Sequence, residues 1–363
     1  MRRWYASLAG VVALGAGLAL AHGADDRATS QSPAALAAGL PHPAPQGRPA
    51  DFDLASRNAT CEGCHADIAA EWRTSLHRRA WSDPVFIDAY VLEPTPFCRS
   101  CHAPEAPPDR SPGEAARALG VACVTCHVID GRTVGSREVA ASSRGHAVRG
   151  DTRFATEEVC AACHQFAFPE PQAAAMQSTL EEHARSASAS KSCQSCHMPL
   201  VVSGDREDER PHKSHEFHVL GNTPLLRSAL RATATRSGPR TLTVELSAAD
   251  IGHDLPTGDM FRRLVVRAAA GAERARPVTL ARRFVLERRG PATYRRQVGD
   301  DRLRGSGEPR RVTISFAEDV ADAEVRWEVV YQRMDDGMAQ TFGLEQSKDE
   351  VVLAEGTLAP GGR

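Results

Sequence analysis

Apolar and polar positions follow two different periods along this chain, and the change between them divides it. From about Arg240 onward the period is two. Leu242-Val244-Leu246, Val312-Ile314-Phe316 and Val325-Trp327-Val329-Tyr331 place an apolar side chain at every second residue, as half-buried strands do. Leu264-Val265-Val266, Phe284-Val285-Leu286 and Val351-Val352-Leu353 are short unbroken apolar runs between Gly, Pro and Asp clusters. Short strands separated in this way predict an antiparallel β-sandwich over 240–363. Ahead of it the pattern is helical and weaker. Ile68, Trp72, Leu76 and Ala80 recur every four residues and predict a helix from Asp67 to about Trp81. A second helix is expected from about Pro171 to Ser186, with Pro near its start and Met176, Leu180 and His183 on one face. Residues 223–239, centred on Leu225 to Ala232, read as a helical joint.

The N-terminus adds a targeting signal. Arg2 and Arg3 precede an apolar run from Leu8 to Leu20, and Ala19-Leu20-Ala21 fits a small-x-small cleavage site. Residues 1–21 are therefore expected to be a signal peptide, and the mature protein periplasmic or secreted. The run is short for a membrane span, and no other stretch could cross a bilayer. Residues 22–57, rich in Ala, Pro and Gly, read as a flexible linker. The formal net charge is -2, and the acids nearly match the many arginines of the C-terminal part. No nucleic-acid footprint results.

Between these parts the chemistry is concentrated in one repeated pattern. Cys-x-x-Cys-His recurs at Cys61/Cys64/His65, Cys98/Cys101/His102, Cys123/Cys126/His127, Cys160/Cys163/His164 and Cys193/Cys196/His197, using all 10 cysteines. Covalent c-type haem needs these residues at this spacing: two thiols meet the two vinyl groups, and the adjoining imidazole binds the iron. Structural zinc would gather two such pairs around one metal and leave one copy stranded. A disulfide framework is open to an exported protein but gives no reason for the five histidines. Five covalently bound haems c are expected over 58–222. At about 33 residues per motif that region is too thin for an ordinary core, so porphyrin faces must supply buried apolar area. The expected fold class is a mainly α, haem-rich domain followed by an antiparallel, immunoglobulin-like β-sandwich.

Each iron has a second face. The chain has 14 histidines; outside the motifs, the leader and the linker stand His77, His146, His183, His212, His215, His218 and His253. His77 lies 12 residues beyond His65, roughly 18 Å along a helix, so it suits a haem other than the one held by His65. His183 is expected to point inward from its helix. Met176 and Met260 are weaker alternatives, and Met198 adjoins His197 too closely to reach the opposite face.

Several stretches resemble the cytochrome c-554-type multihaem family. They are Trp72-x-x-Ser75-x-His77 after the first motif, Gly120-Val121-Ala122-Cys123 through Gly131, and Cys193 through Pro199. Ser214-His215-x-Phe217 and Gly252-His253-Asp-Leu-Pro256-Thr257-Gly258 resemble multihaem cytochromes with a C-terminal β-domain. The resemblance implies low-spin, bis-histidine haems and electron transfer, with His77, His146, His215 and His253 as distal ligands, and the inward-facing His183 is the fifth candidate distal ligand. A His253 ligand would clamp the β-domain onto the haem region.

The expected function is electron relay between redox partner proteins, without a catalytic residue. One alternative is a reductase or oxidase with a single open haem, acting on a nitrogen or sulfur oxyanion. Against it, no motif carries Lys after the second Cys, and nothing marks out Tyr90 for a haem cross-link. The other is a subunit of an extracellular electron-conducting assembly, for which no repeat or exposed apolar run argues.

Overall fold

The computed structural model describes residues 53–361, apart from 93, 95, 107–110, 142–144, 168–173, 203–210, 218, 290–291 and 344–348. The expected signal peptide, most of the linker, the charged loop after the last motif and His218 lie outside the described residues.

Residues 54–228 form short helices joined by loops and two- to four-residue strand pairs. All five motifs sit on helical turns: Leu54–Cys64 with His65 as its C-cap, Pro96–His102, Cys123–His127, Glu158–His164 and Cys193–His197. Helical geometry puts cysteines three residues apart on one face, with the histidine just beyond. The aliphatic core here is thin. Trp72, Ala122, Val124 and Val128 make one small cluster, with Leu119 against it.

Two helices are shorter than the periodicity predicts. The helix expected from Asp67 to about Trp81 spans Ala66–Thr74. Ser75 stops it, its extended backbone and its hydroxyl turned back onto the Trp72 carbonyl at 2.7 Å. His77 then lies in a turn whose carbonyl accepts from Val121 N at 2.9 Å. Gly120, at φ +57, passes so close that a Cβ would sit 2.5 Å from that carbonyl oxygen, which explains the glycine there. The helix expected over 171–186 is reduced to Thr179–Ala184, because Ala175–Ser178 is a strand paired with Gln165–Ala167. Met176 and His183 thus do not share a helix face.

The joint also differs. Its helix is Thr223–Ser228, and a strand begins directly after it at Leu230. The longer strands that follow are β1 (Leu230–Gly238), β2 (Thr241–Ala248), β3 (Arg263–Ala270), β4 (Val278–Arg289), β5 (Ala292–Asp300), β6 (Arg310–Ser315), β7 (Val325–Gln332) and β8 (Val351–Leu358). One antiparallel sheet has the order β6-β2-β1 and the other β5-β4-β3-β7-β8, with Glu273–Arg274 paired to β3. Alternation sets the register: Leu242, Val244, Leu246 and Ala248 face inward from β2, and Val244 pairs with Val312. Leu246, Leu264, Val266, Leu280, Ile314 and Val329 form part of one apolar core shared by both sheets. The long β4–β5 arm turns the Arg282 guanidinium onto the Ala175 and Met176 carbonyls. The edge of the 175–178 strand is thereby held against the β region. All described residues belong to one compact unit.

Candidate haem-ligand array

Four of the five motif histidines face a second imidazole. The ring centroids are 6.3 Å apart for His65 and His146, 6.3 Å for His164 and His77, 6.2 Å for His127 and His215, and 6.2 Å for His197 and His253. An imidazole nitrogen binds a metal at about 2 Å and lies about 1.1 Å from its own ring centre, so two imidazoles on opposite sides of one ion have centroids about 6.2 Å apart. Direct van der Waals stacking would bring the rings much closer. Two pairs separated by the width of one metal site could be coincidence; four at nearly one value fit two axial ligands of an iron.

Backbone carbonyls orient the rings. Nδ1 of His127 bonds to the Val134 carbonyl at 3.0 Å, that of His215 to Lys213 at 2.7 Å, and that of His253 to Asp254 at 3.0 Å. A proton on Nδ1 leaves the Nε2 lone pair for a metal. Burial keeps these imidazoles neutral. It pushes His77 down to about 3, with further depression from His164, His215 and His197. It likewise takes His164, His215 and His253 down to about 4, and His127 and His197 downward. Only the neutral form binds iron.

Each distal candidate reaches its place differently. His77 is set by the turn after Ser75 and by the Phe217 ring 4.3 Å away. His215 is held through its backbone N–H, which donates to Glu71 at 2.8 Å, while the other Glu71 oxygen takes His212 Nε2 at 3.1 Å. Glu71 thus positions His215 from 144 residues away, and only its place beside Trp72 on the Ala66–Thr74 helix hints at it. His146 stands in an exposed stretch beside the Val139–Val148 bridge.

His183 is not brought to a motif histidine. Its Nδ1 bonds to the Gly252 carbonyl at 2.6 Å and its Nε2 to the Lys191 carbonyl at 2.8 Å, so no nitrogen is left for iron. The six-residue helix turns it toward the β region instead. Among the described residues no imidazole faces His102. Its Nδ1 bonds to the Ala80 carbonyl at 2.5 Å, and Phe86 stacks on the ring at 3.5 Å and 6°.

Contacts between motif sulfurs give the order of neighbours. The Cys163 thiol lies beside Cys101 and the Cys160 thiol beside Cys193. Cys126 lies near Cys160 and Cys163, and Cys61 near Cys123. The fourth motif therefore adjoins the second, third and fifth.

The thiols are not equally enclosed. All ten are free, with no disulfide framework among them, and eight are half-buried, but Cys64 and Cys196 are exposed. Cys64 and Cys196 thus lie outside the enclosed part of the array. The Cys196 sulfur lies 3.8 Å from the exposed Ser195 Oγ, whereas Cys193, one turn earlier, meets Cys160 of the fourth motif. The reason is positional. Cys193 starts its five-residue helix against the array, and Cys196 is its next-to-last residue. Cys64 is the last residue of its own helix and is exposed in the same way. A thioether at either position would join the porphyrin at an edge facing water, which leaves the bonding chemistry intact.

Among the described residues no three His, Cys, Asp or Glu converge as a separate metal centre, the arrangement zinc would require. Polar orphans complete the fit to haem. Tyr331 Oη and Arg333 Nε are buried without a hydrogen-bond partner among the described residues. Arg333 is close enough to help depress His102, as does burial, and Tyr331 acts on Arg262. Such donors suit porphyrin carboxylates.

The five motifs and this fold resemble those of multihaem c-type cytochromes. Residues 60–128 match the family described as cytochrome c554 and c-prime. A penta-heme cytochrome c552 from Thermochromatium tepidum superposes with a TM-score of 0.65 and 21% identity, over 84% of this chain and 99% of that one. At that identity the likeness establishes the fold. No curated protein sequence matches the chain. Among the described residues no helix is long and apolar enough to cross a membrane.

Proposed function

We propose that this chain is a periplasmic pentahaem cytochrome that relays electrons between redox partner proteins, built from a mainly helical haem domain and an immunoglobulin-like sandwich. The four imidazole pairs at 6.2–6.3 Å carry the reading. The ten cysteines, the exposed Cys64 and Cys196 included, would hold haem through thioethers. His65, His102, His127, His164 and His197 would be the proximal ligands. His146, His77, His215 and His253 would be distal to His65, His164, His127 and His197. Bound haem supplies a reversible one-electron centre at each motif. The protein's part is to fix ligands, burial and neighbours. Pairing four of the five motif imidazoles with a second imidazole favours low-spin iron that exchanges electrons without binding substrate. Sulfur contacts from the fourth motif to the second and fifth support attachment sites close enough for one continuous array.

A second reading has one specific observation behind it. His102 has a stacked Phe86 on its ring and no facing imidazole among the described residues, which favours an open sixth position at the second motif. An anaerobic coulometric titration tests both readings. Five electrons per chain are expected, and uptake of four or fewer would refute the pentahaem relay. Nitrite or hydroxylamine added to the reduced protein should leave its reoxidation at the background rate. Rapid reoxidation beginning at a single high-spin haem would favour the open-site enzyme.

A further inference from the structure

The loop that carries His253 is gripped at four consecutive residues by groups from two distant parts of the chain. Asp254 accepts from Arg304 at 2.7 Å and from the Gly305 backbone N–H at 3.0 Å. Leu255 exchanges both backbone hydrogen bonds with Leu303, at 2.8 and 3.1 Å. The Pro256 carbonyl accepts from Arg302 at 3.0 Å. Thr257 donates to Glu182 at 2.6 Å. At the centre of this grip Arg302 meets Glu182 at 2.7 Å, their side chains 4% and 1% exposed.

Every partner of that pair is arranged. Glu182 also accepts from Ser178 at 2.7 Å. The Arg302 fork is steadied by Asp300, with Nε at 2.9 Å and a terminal nitrogen at 2.8 Å. Glu182 belongs to the haem region, on the short Thr179–Ala184 helix just before the last motif. Arg302 belongs to the β region, beyond β5. A buried ion pair contributes little net stability once desolvation is counted, and its best-attested use is to fix one arrangement among several. The arrangement fixed here is that of His253 against His197, nearly parallel at 9° and 6.2 Å. Space is fixed as well, since a Cβ on Gly305 would sit 2.7 Å from the His253 carbonyl oxygen.

We propose that the Glu182–Arg302 pair is a positioning device that seats His253 opposite His197 and so determines the coordination of the haem at the last motif. The proposal rests on the reading of His253 as a distal ligand. Arg302 and Glu182 do not touch the iron; they act through the 254–257 loop.

The test uses the full-length holoprotein and the count of bis-imidazole haems by EPR and near-infrared magnetic circular dichroism. H253A should remove one low-spin signal and add one high-spin signal. R302M should give the same exchange, at the same haem, with the other paired haems unchanged. Should R302M fail to fold, the double variant E182Q/R302M removes the pair without leaving a lone buried charge, and the same exchange is expected. A full set of low-spin signals in the R302M or double variant, with only a lowered Tm, would overturn the proposal and leave the pair a plain structural tie. An unchanged spectrum in H253A would instead remove the ligand reading, and the proposal with it.

Discussion

Alanine at both Cys160 and Cys163 is expected to abolish the folded holoprotein, and not merely to subtract one haem. The fourth motif is where the array meets. Its sulfurs contact Cys101 and Cys193, and His164 is paired with His77, whose turn carries the contact to Gly120 and Val121. Little aliphatic material stands in reserve, since the buried apolar residues from 69 to 161 include mainly Ala and Val, with Trp72 the one large side chain among the described residues. Truncating a single buried aromatic costs about 3–5 kcal/mol. A porphyrin is several times larger, so its loss should exceed about 5 kcal/mol, comparable to the whole stability of a domain. Protease resistance and the haem-to-protein ratio after export measure the outcome. Little or no resistant holoprotein is expected. A four-haem protein with unchanged Tm would show that the haem region does not rely on its haems for a core.

Acid should act almost as strongly. The folded values of His77, at about 3, and of His164, His215 and His253, at about 4, lie below the ordinary 6.5 because burial disfavours the charged ring. Between those limits the unfolded chain binds more protons than the folded one, so stability falls as pH drops from about 6.5 and the loss is complete only below about 3, where His77 titrates. The gap from 6.5 to about 4 is worth about 3 kcal/mol for each of His215 and His253. Iron held on Nε2 would deepen the effect, because proton and metal compete for one lone pair. Urea midpoints of the holoprotein should fall steadily across that window and recover when the pH is restored. Midpoints that stay level from pH 7 to 4 would contradict the assignment of buried neutral imidazoles.

The legible parts of the sequence are those whose chemistry is local. Cys-x-x-Cys-His is a covalent requirement within five residues, so each copy can be read without knowing the fold. Its exposure cannot: the same five letters half-bury both sulfurs at Cys160 and Cys163 and leave Cys196 at the surface. The β region is legible where alternation uses large apolar residues, as at Leu242, Val244 and Leu246. It is not legible at Leu230–Gly238, where Ala, Thr and Arg alternate around so little apolar surface that the strand reads as a joint. Helix ends are lost to tertiary contacts. Ser75 and the close approach of Gly120 end one early, and Arg282, more than 100 residues away, holds Ala175 and Met176 in a strand. That same shortening explains His183. A long helix would turn it inward beside Met176; a six-residue one hands it to Gly252 and Lys191. The pairing of each distal imidazole with its motif, and the support that Glu71, Glu182 and Arg302 provide, depend on contacts between residues far apart in the chain and have no local signature.

The most direct test of the account is a haem and spin census on the purified holoprotein, combining a pyridine haemochrome count with EPR and near-infrared magnetic circular dichroism. The account predicts five haems per chain, at least four of them low-spin with two imidazole ligands, and any differing haem assigned to His102 by mutation. Fewer than five haems, or fewer than four bis-imidazole centres, would contradict it.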